Sequence, residues 1–229
     1  MKRNLIAAVA VLAFAVATIS CSKPAPNKQT AANTNASASA SARKPGEVKV
    51  TKPGEAPPVN ASAKTIPQDK KVPVPADWET YYDNDKGYQF SVPAGTKSDW
   101  QTVNGVDVFM ATAPDPAKVA VMVVAFKNAS LTKDDLLDKV KAILSSMGEK
   151  DIKVGAVQEI SDDYDLAEVT SVDEKGETTH AKVLIATDVS DNYLVLVGSP
   201  EKEYKANEKI IDEIWGSFGM YSGGSSGNS

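Results

Sequence analysis

The sequence predicts an α+β fold, a mainly antiparallel sheet with packed helices, preceded by a signal peptide and a disordered linker. Three observations lead there. Period-two apolar alternation and an Asn-Gly turn fill the residues after Trp78, as half-buried strands joined by tight turns require. That period switches to helical spacing twice, near 136–147 and 204–218. Composition also changes along the chain of 229 residues, from an uncharged N-terminal run through a Pro/Ser/Ala/Lys stretch to a denser body.

The N-terminal run comes first. Lys2 and Arg3 precede fifteen uncharged residues, Leu5 to Ile19. At about 1.5 Å per residue a helix of that length covers roughly 22 Å, short of the ~30 Å hydrocarbon core, and matches a signal-peptide apolar region. Thr18-Ile19-Ser20-Cys21 resembles the lipobox of bacterial lipoproteins, with Thr18 where that family usually carries Leu. The resemblance implies cleavage before Cys21, the only cysteine in the chain, and its lipidation. It also implies a membrane partner through the lipid anchor. Ser22, in place of Asp, implies sorting to the outer membrane, facing the periplasm, in a two-membrane envelope. Two buried acyl chains at about 0.8 kcal/mol per CH₂ suffice for a stable anchor.

Residues 21–76 then read as the lipidated cysteine and a disordered linker, with signal peptide 1–20 before them and a flexible tail 222–229 at the far end. The linker contains Ala-Ser-Ala-Ser-Ala-Ser-Ala at 36–42 and Lys-Pro-Gly-Glu twice, at 44–47 and 52–55. It offers almost no apolar surface to offset the entropy of ordering. As a coil it spans roughly 40 Å root-mean-square. Residues 22–76 carry +6, whereas residues 77–229 carry fourteen Lys against twenty-seven Asp and Glu, hence −13. A basic tether thus holds an acidic body, and the tether's charge favours anionic head groups at up to about 1 kcal/mol per basic residue near the surface. The acidic body excludes nucleic acid as a partner, because phosphate affinity needs clustered Lys and Arg.

The body, 77–221, follows in order. Trp78–Tyr82 reads as a strand, Asp83–Gly87 as a turn, and Tyr88–Val92 as a strand with Tyr88, Phe90 and Val92 on one face. Asn104-Gly105 joins 100–103 to 106–110 as a hairpin, because both central positions of a type I′ turn need positive φ. Val119–Phe126 is a nearly continuous apolar run, a central strand buried on both faces. Thr132 and Asp135 form a capping-box-like helix start, Leu136, Val140, Ile143, Leu144 and Met147 share a helical stripe, and Gly148 stands at the C-terminal cap. Strands follow at 152–160, 166–173, 177–187 and 193–199. Pro200 opens a last helix to about Phe218, with Tyr204, Ile211, Ile214, Trp215 and Phe218 on one side. With a single cysteine no internal disulfide exists, and about 140 residues suffice for a core that needs none.

Residues Tyr82-Asp83 through Gly87-Tyr88-Gln89-Phe90-Ser91-Val92-Pro93-Ala94-Gly95 resemble the opening hairpin of the PsbP-like superfamily, Gly-aromatic-x-Phe-x-x-Pro-x-Gly. The closing strand Leu194–Val197 and a helix ending in Ser217-Phe218 extend the resemblance over about 78–218. It implies a layered PsbP-like domain that binds partner proteins, sometimes metal ions, as an accessory factor without catalysis. The early Trp after Pro-x-Gly is replaced by Thr96, which favours the lipoprotein branch over PsbP itself.

Chemistry is sparse. His180, the only histidine, has no accompanying nucleophile elbow, catalytic cysteine or metal-ligand cluster, so no catalytic residue and no cofactor are assigned. No phosphate-binding glycine motif occurs. Asp83 and Asp85 are the metal candidates, in a loop that begins like a calcium site but has Gly87 fifth and Ala94 twelfth, where an EF-hand needs Gly sixth and Glu twelfth. Asp162, Asp163 and Asp165, with Asp188 and Asp191, form further turn clusters. The expected function is a lipid-anchored extracytoplasmic binding or assembly-accessory module without catalytic activity, meeting an unidentified envelope protein. A calcium-dependent module and a carboxylate-dependent hydrolase are the alternatives.

Overall fold

In the computed structural model, which describes residues 48–53, 55 and 64–221, two antiparallel sheets and two helices share one body. The elements are β1 (Lys49–Val50), β2 (Lys64–Thr65), β3 (Glu79–Asp83), β4 (Tyr88–Val92), β5 (Lys97–Val103), β6 (Val106–Thr112), β7 (Ala120–Phe126), α1 (Lys133–Ser146), β8 (Lys150–Val154), β9 (Gln158–Ser161), β10 (Tyr164–Val172), β11 (Thr178–Asp188), β12 (Asp191–Pro200), α2 (Glu201–Gly216) and β13 (Gly219–Met220). The small sheet runs β1-β3-β4-β13-β2, and the large one β5-β6-β7-β12-β11-β10-β8 with β9 also on β10.

The large sheet grows from its turns. Asn104 and Gly105 have φ of 51° and 75°, and β5 pairs with β6 from Val103↔Val106 outward. After β7, α1 carries the chain to the far edge. β10, β11 and β12 then meander back until β12 pairs with β7 through Val195↔Val123. Thr132 caps α1 by a reciprocal box with Asp135, and Gly148 at φ 94° follows the helix.

Alternation along these strands sorts the core into two layers. Val108, Met122, Val124, Val183, Ile185, Leu194 and Leu196 face Leu136, Val140, Ile143 and Leu144 of α1. Phe109, Val121, Val123, Leu184, Val195 and Val197 face the other way, onto Ile211, Ile214 and Phe218 around α2 and onto Tyr81, Tyr88 and Phe90 of the small sheet. The order is helix, large sheet, then small sheet with α2.

Three expectations need correction. Residues 48–76 are not all unstructured linker. β1 pairs with Tyr81 and Tyr82 of β3, β2 pairs with β13, Thr51 Oγ1 accepts the Thr80 N–H at 3.2 Å, and Ile66 is 0% exposed. Backbone pairing needs no apolar pattern, and one buried isoleucine is enough to seat the segment. The single strand at 152–160 is instead two, β8 and β9, separated at Gly155–Val157, and they meet different parts of β10. Finally, the chain after α2 adds β13 between β4 and β2. The signal peptide, Cys21 and the 222–229 tail lie outside the described residues.

Candidate functional site

Five connections meet at one end of the body: the β3–β4 turn, residues 127–132, residues 162–163, the β11–β12 hairpin tip and Tyr221. Local sequence sets the first. Asp83 Oδ1 accepts the amides of Asp85 at 3.0 Å and Lys86 at 2.9 Å, closing an Asx-type turn. Gly87 donates to the Asp83 carbonyl at 2.8 Å and has φ 74°; a Cβ there would fall 2.5 Å from the Tyr221 carbonyl oxygen. Only glycine satisfies both the conformation and the close approach.

Aromatic rings then lock the turn to the sheets. Tyr193 Oη donates to the Lys86 carbonyl at 2.8 Å, and Tyr221 Oη donates to Asn84 Oδ1 at 3.0 Å. Tyr88 stacks on Phe218 with centroids 6.2 Å apart and meets Tyr193 edge-on at 6.2 Å. Burial pushes the phenols of Tyr88, Tyr193 and Tyr221 upward, so all three stay neutral.

The predicted metal candidates do not converge. Asp83 is 1% exposed and turned inward, where burial raises its carboxyl above the ordinary aspartate value, while Asp85 is exposed. Among the described residues no three His, Cys, Asp or Glu side chains gather as a metal site. The other turn carboxylates are held by lysines. Lys64 bridges Asp163 at 3.0 Å and Asp188 at 2.9 Å, and these two carboxylates hold its ammonium above the usual lysine value. Lys133 reaches the buried Asp165 at 2.8 Å. Asp191 pairs with Lys127 and accepts the Asn128 N–H at 3.0 Å; burial opposes its ionisation, but these two partners win and hold it below the ordinary range.

One residue at this end stands apart. Val189, in the two-residue tip between Asp188 and Asp191, is 102% exposed with φ 50°. A β-branched residue in the left-handed region is strained, typically by about 1–3 kcal/mol. It is also an exposed aliphatic on a hairpin fixed by Lys64, Lys127 and the Ala129 N–H, which donates to the Ser190 carbonyl at 2.7 Å. Sequence reading missed Val189, although an aliphatic within Asp-Val-Ser-Asp was a visible signal. It also missed Lys64 and Lys127, whose partners lie far along the chain.

His180 sits elsewhere, on β11 beneath α2. Its ring stacks on Tyr204 at 3.7 Å and 7°, and Lys182, two residues on, pairs with Asp212. Asp212 also accepts the Trp215 Nε1–H at 2.8 Å. No turn carboxylate is brought to this histidine.

A family model described as PsbP matches residues 76–220. No curated protein matches the chain. Among solved structures it is similar to cyanobacterial PsbP from Synechocystis sp. PCC 6803, at 16% identity over 62% of this chain and 91% of that one, with a TM-score of 0.45. It is similar also to a protein from Bacteroides thetaiotaomicron, at 16% identity over 59% and 45% of the two chains, with a TM-score of 0.39. A third is LpqN of Mycobacterium tuberculosis, involved in cell envelope biogenesis, at 11% identity over 55% and 80%, with a TM-score of 0.33.

Proposed function

Because the chain belongs to the PsbP family, we propose that it is a non-catalytic binding or assembly-accessory module, held at a bacterial cell envelope by a lipid on Cys21. The observation that carries the binding role is Val189: an aliphatic side chain held in a strained conformation, fully in solvent, on a hairpin braced by two lysines. Exposed apolar contacts on rigid supports suit protein recognition, where buried anchors dominate affinity. The absence of catalysis is supported by how the carboxylates are used. Asp83, Asp163, Asp165, Asp188 and Asp191 are committed to backbone amides or lysines, an arrangement that fixes loops.

The envelope placement rests on the lipobox-like Thr18–Cys21 and the basic tether, with Ser22 favouring the outer membrane. The body's −13 argues against nucleic acid. The partner is then an envelope protein presenting an apolar recess to the hairpin tip.

A photo-crosslinking residue at position 189 of the full-length protein, expressed in cells, tests this. One protein should be captured from 189 and not from the exposed control position Lys205. Equal capture from both positions, or undiminished association of Val189→Asp with that protein, removes the binding role. Cys21→Ala should move the protein from the membrane pellet to the soluble fraction; an unchanged distribution removes the anchor.

A further inference from the structure

We propose that Asn104, at the tip of the β5–β6 hairpin, is a self-modifying site. Its side chain closes on the next peptide nitrogen to form a succinimide, and the products unfasten the hairpin from α1. Asn104 is the one asparagine of the chain that is followed by glycine. Both residues of the turn are exposed, and no atom lies within 4 Å of where a Gly105 Cβ would stand. A residue without a Cβ leaves its own nitrogen the freest approach to the side chain before it. Among the described residues the Gly105 N–H donates to no backbone carbonyl, so the attacking nitrogen is not tied up in the ladder.

The asparagine already has a task. Its Nδ2 donates to Ser146 Oγ in the last turn of α1, which ties the hairpin tip to the helix. Ser146 in turn donates to the Ala142 carbonyl at 2.8 Å. The single hydroxyl proton is thereby committed, and what Ser146 offers the hairpin is a lone pair.

Loss of the Gly105 amide proton to hydroxide lets that nitrogen attack Asn104 Cγ. The new N–Cγ bond closes a cyclic imide, the Cγ–Nδ2 bond breaks, and the side-chain nitrogen leaves as ammonia. Water then opens the imide on one side or the other. Attack at Cγ returns the main chain to its old course and leaves aspartate. Attack at the main-chain carbonyl leaves isoaspartate, whose main chain runs through Cβ and Cγ.

Each product breaks a different contact. Aspartate tolerates the left-handed φ of 51° held at this position, so the turn survives. It nevertheless replaces an N–H donor by a carboxylate that meets the Ser146 lone pair, and Ser146 can answer only by giving up the Ala142 carbonyl. The new charge also lies at the negative end of α1, whose last turn carries no basic residue. Isoaspartate inserts an extra main-chain carbon into the two-residue loop that sets Val103 opposite Val106, so the hairpin loses its register from the tip.

Incubating the full-length protein, folded, at mildly alkaline pH and following its tryptic peptides by mass spectrometry tests the site. Asn104 is the only asparagine in the peptide 98–118. That peptide should gain the mass of one deamidation and separate into aspartyl and isoaspartyl forms, well before the peptides that hold the exposed Asn84 and Asn128. Ser146→Ala, which frees the side chain to reach the nitrogen, should hasten the conversion. Asn104→Asp, which installs the first product in every molecule, should lower hydrogen-exchange protection of the amides at 143–146 relative to those of α2. Conversion at 104 no faster than at 84 and 128, an unchanged rate in Ser146→Ala, or wild-type protection at 143–146 in Asn104→Asp overturns the inference.

Discussion

Ile66→Ala decides where the body begins. Ile66 precedes the family match at residue 76 by ten positions, within a stretch whose composition reads as linker, yet it is 0% exposed and sits in the core cluster with Phe90, Tyr164 and Phe218. Truncation to alanine removes three carbons, about 2.4 kcal/mol of transfer free energy at ~0.8 kcal/mol each, and the unfilled cavity raises the cost toward 3–4 kcal/mol. For a body of this size each kcal/mol moves Tm by roughly 2–4 °C, so thermal unfolding should shift down by about 6–16 °C. Ile66→Val, which leaves most of the volume, should cost only about 0.5–1.5 kcal/mol. Circular dichroism melts of the wild type and both variants measure the graded series. Melting temperatures equal within a degree for all three would show that residues 64–66 contribute no core contact, and the boundary would return to residue 77.

Four further outcomes follow from the same structure. Val189→Gly removes left-handed strain without losing buried area, so Tm should rise by a few degrees while capture of the partner falls; a fall in both would mean the tip is structural. Gly198→Ala places a Cβ 2.6 Å from Ala181 Cβ and from the His180 carbonyl oxygen in adjacent strands, and overpacking of this kind costs about 1–3 kcal/mol in a chemical-denaturation midpoint series. Asp191→Asn should lower stability at pH 7 by about 1 kcal/mol. Because the native carboxyl is held below its ordinary value, that stabilisation is present above the ordinary aspartate range and lost as pH falls through the native value, so melts of wild type and variant should converge in acid. Thr132→Ala, removing the hydroxyl that accepts the Asp135 N–H at 3.2 Å, should cost about 1 kcal/mol, measured by the same melts.

What the sequence discloses is what local chemistry dictates. The Asn104-Gly105 hairpin, the twice-buried β7, the Thr132–Asp135 cap and the stripe of α2 each depend on residues within a turn or two of each other, and each is found. β1, β2 and β13 are two residues long and held by backbone pairing, which leaves no trace in side-chain pattern. The acidic turns were visible, but what they hold was not: Asp163 answers to Lys64 and Asp191 to Lys127, across 99 and 64 residues respectively. Loose calcium ligands and occupied ion pairs have the same one-dimensional appearance. His180 likewise reads as a lone strand residue until α2 folds over it and brings Glu201 and Tyr204 to its ring.

The small sheet ends on both sides in strands of two residues, β1 and β2. A neighbouring molecule seeking to extend that sheet would find at most a pair of rungs at either hem, too few to template a lengthening stack. Copies crowded together at high local density are therefore kept from zipping along this sheet by the brevity of its borders and not by charge alone.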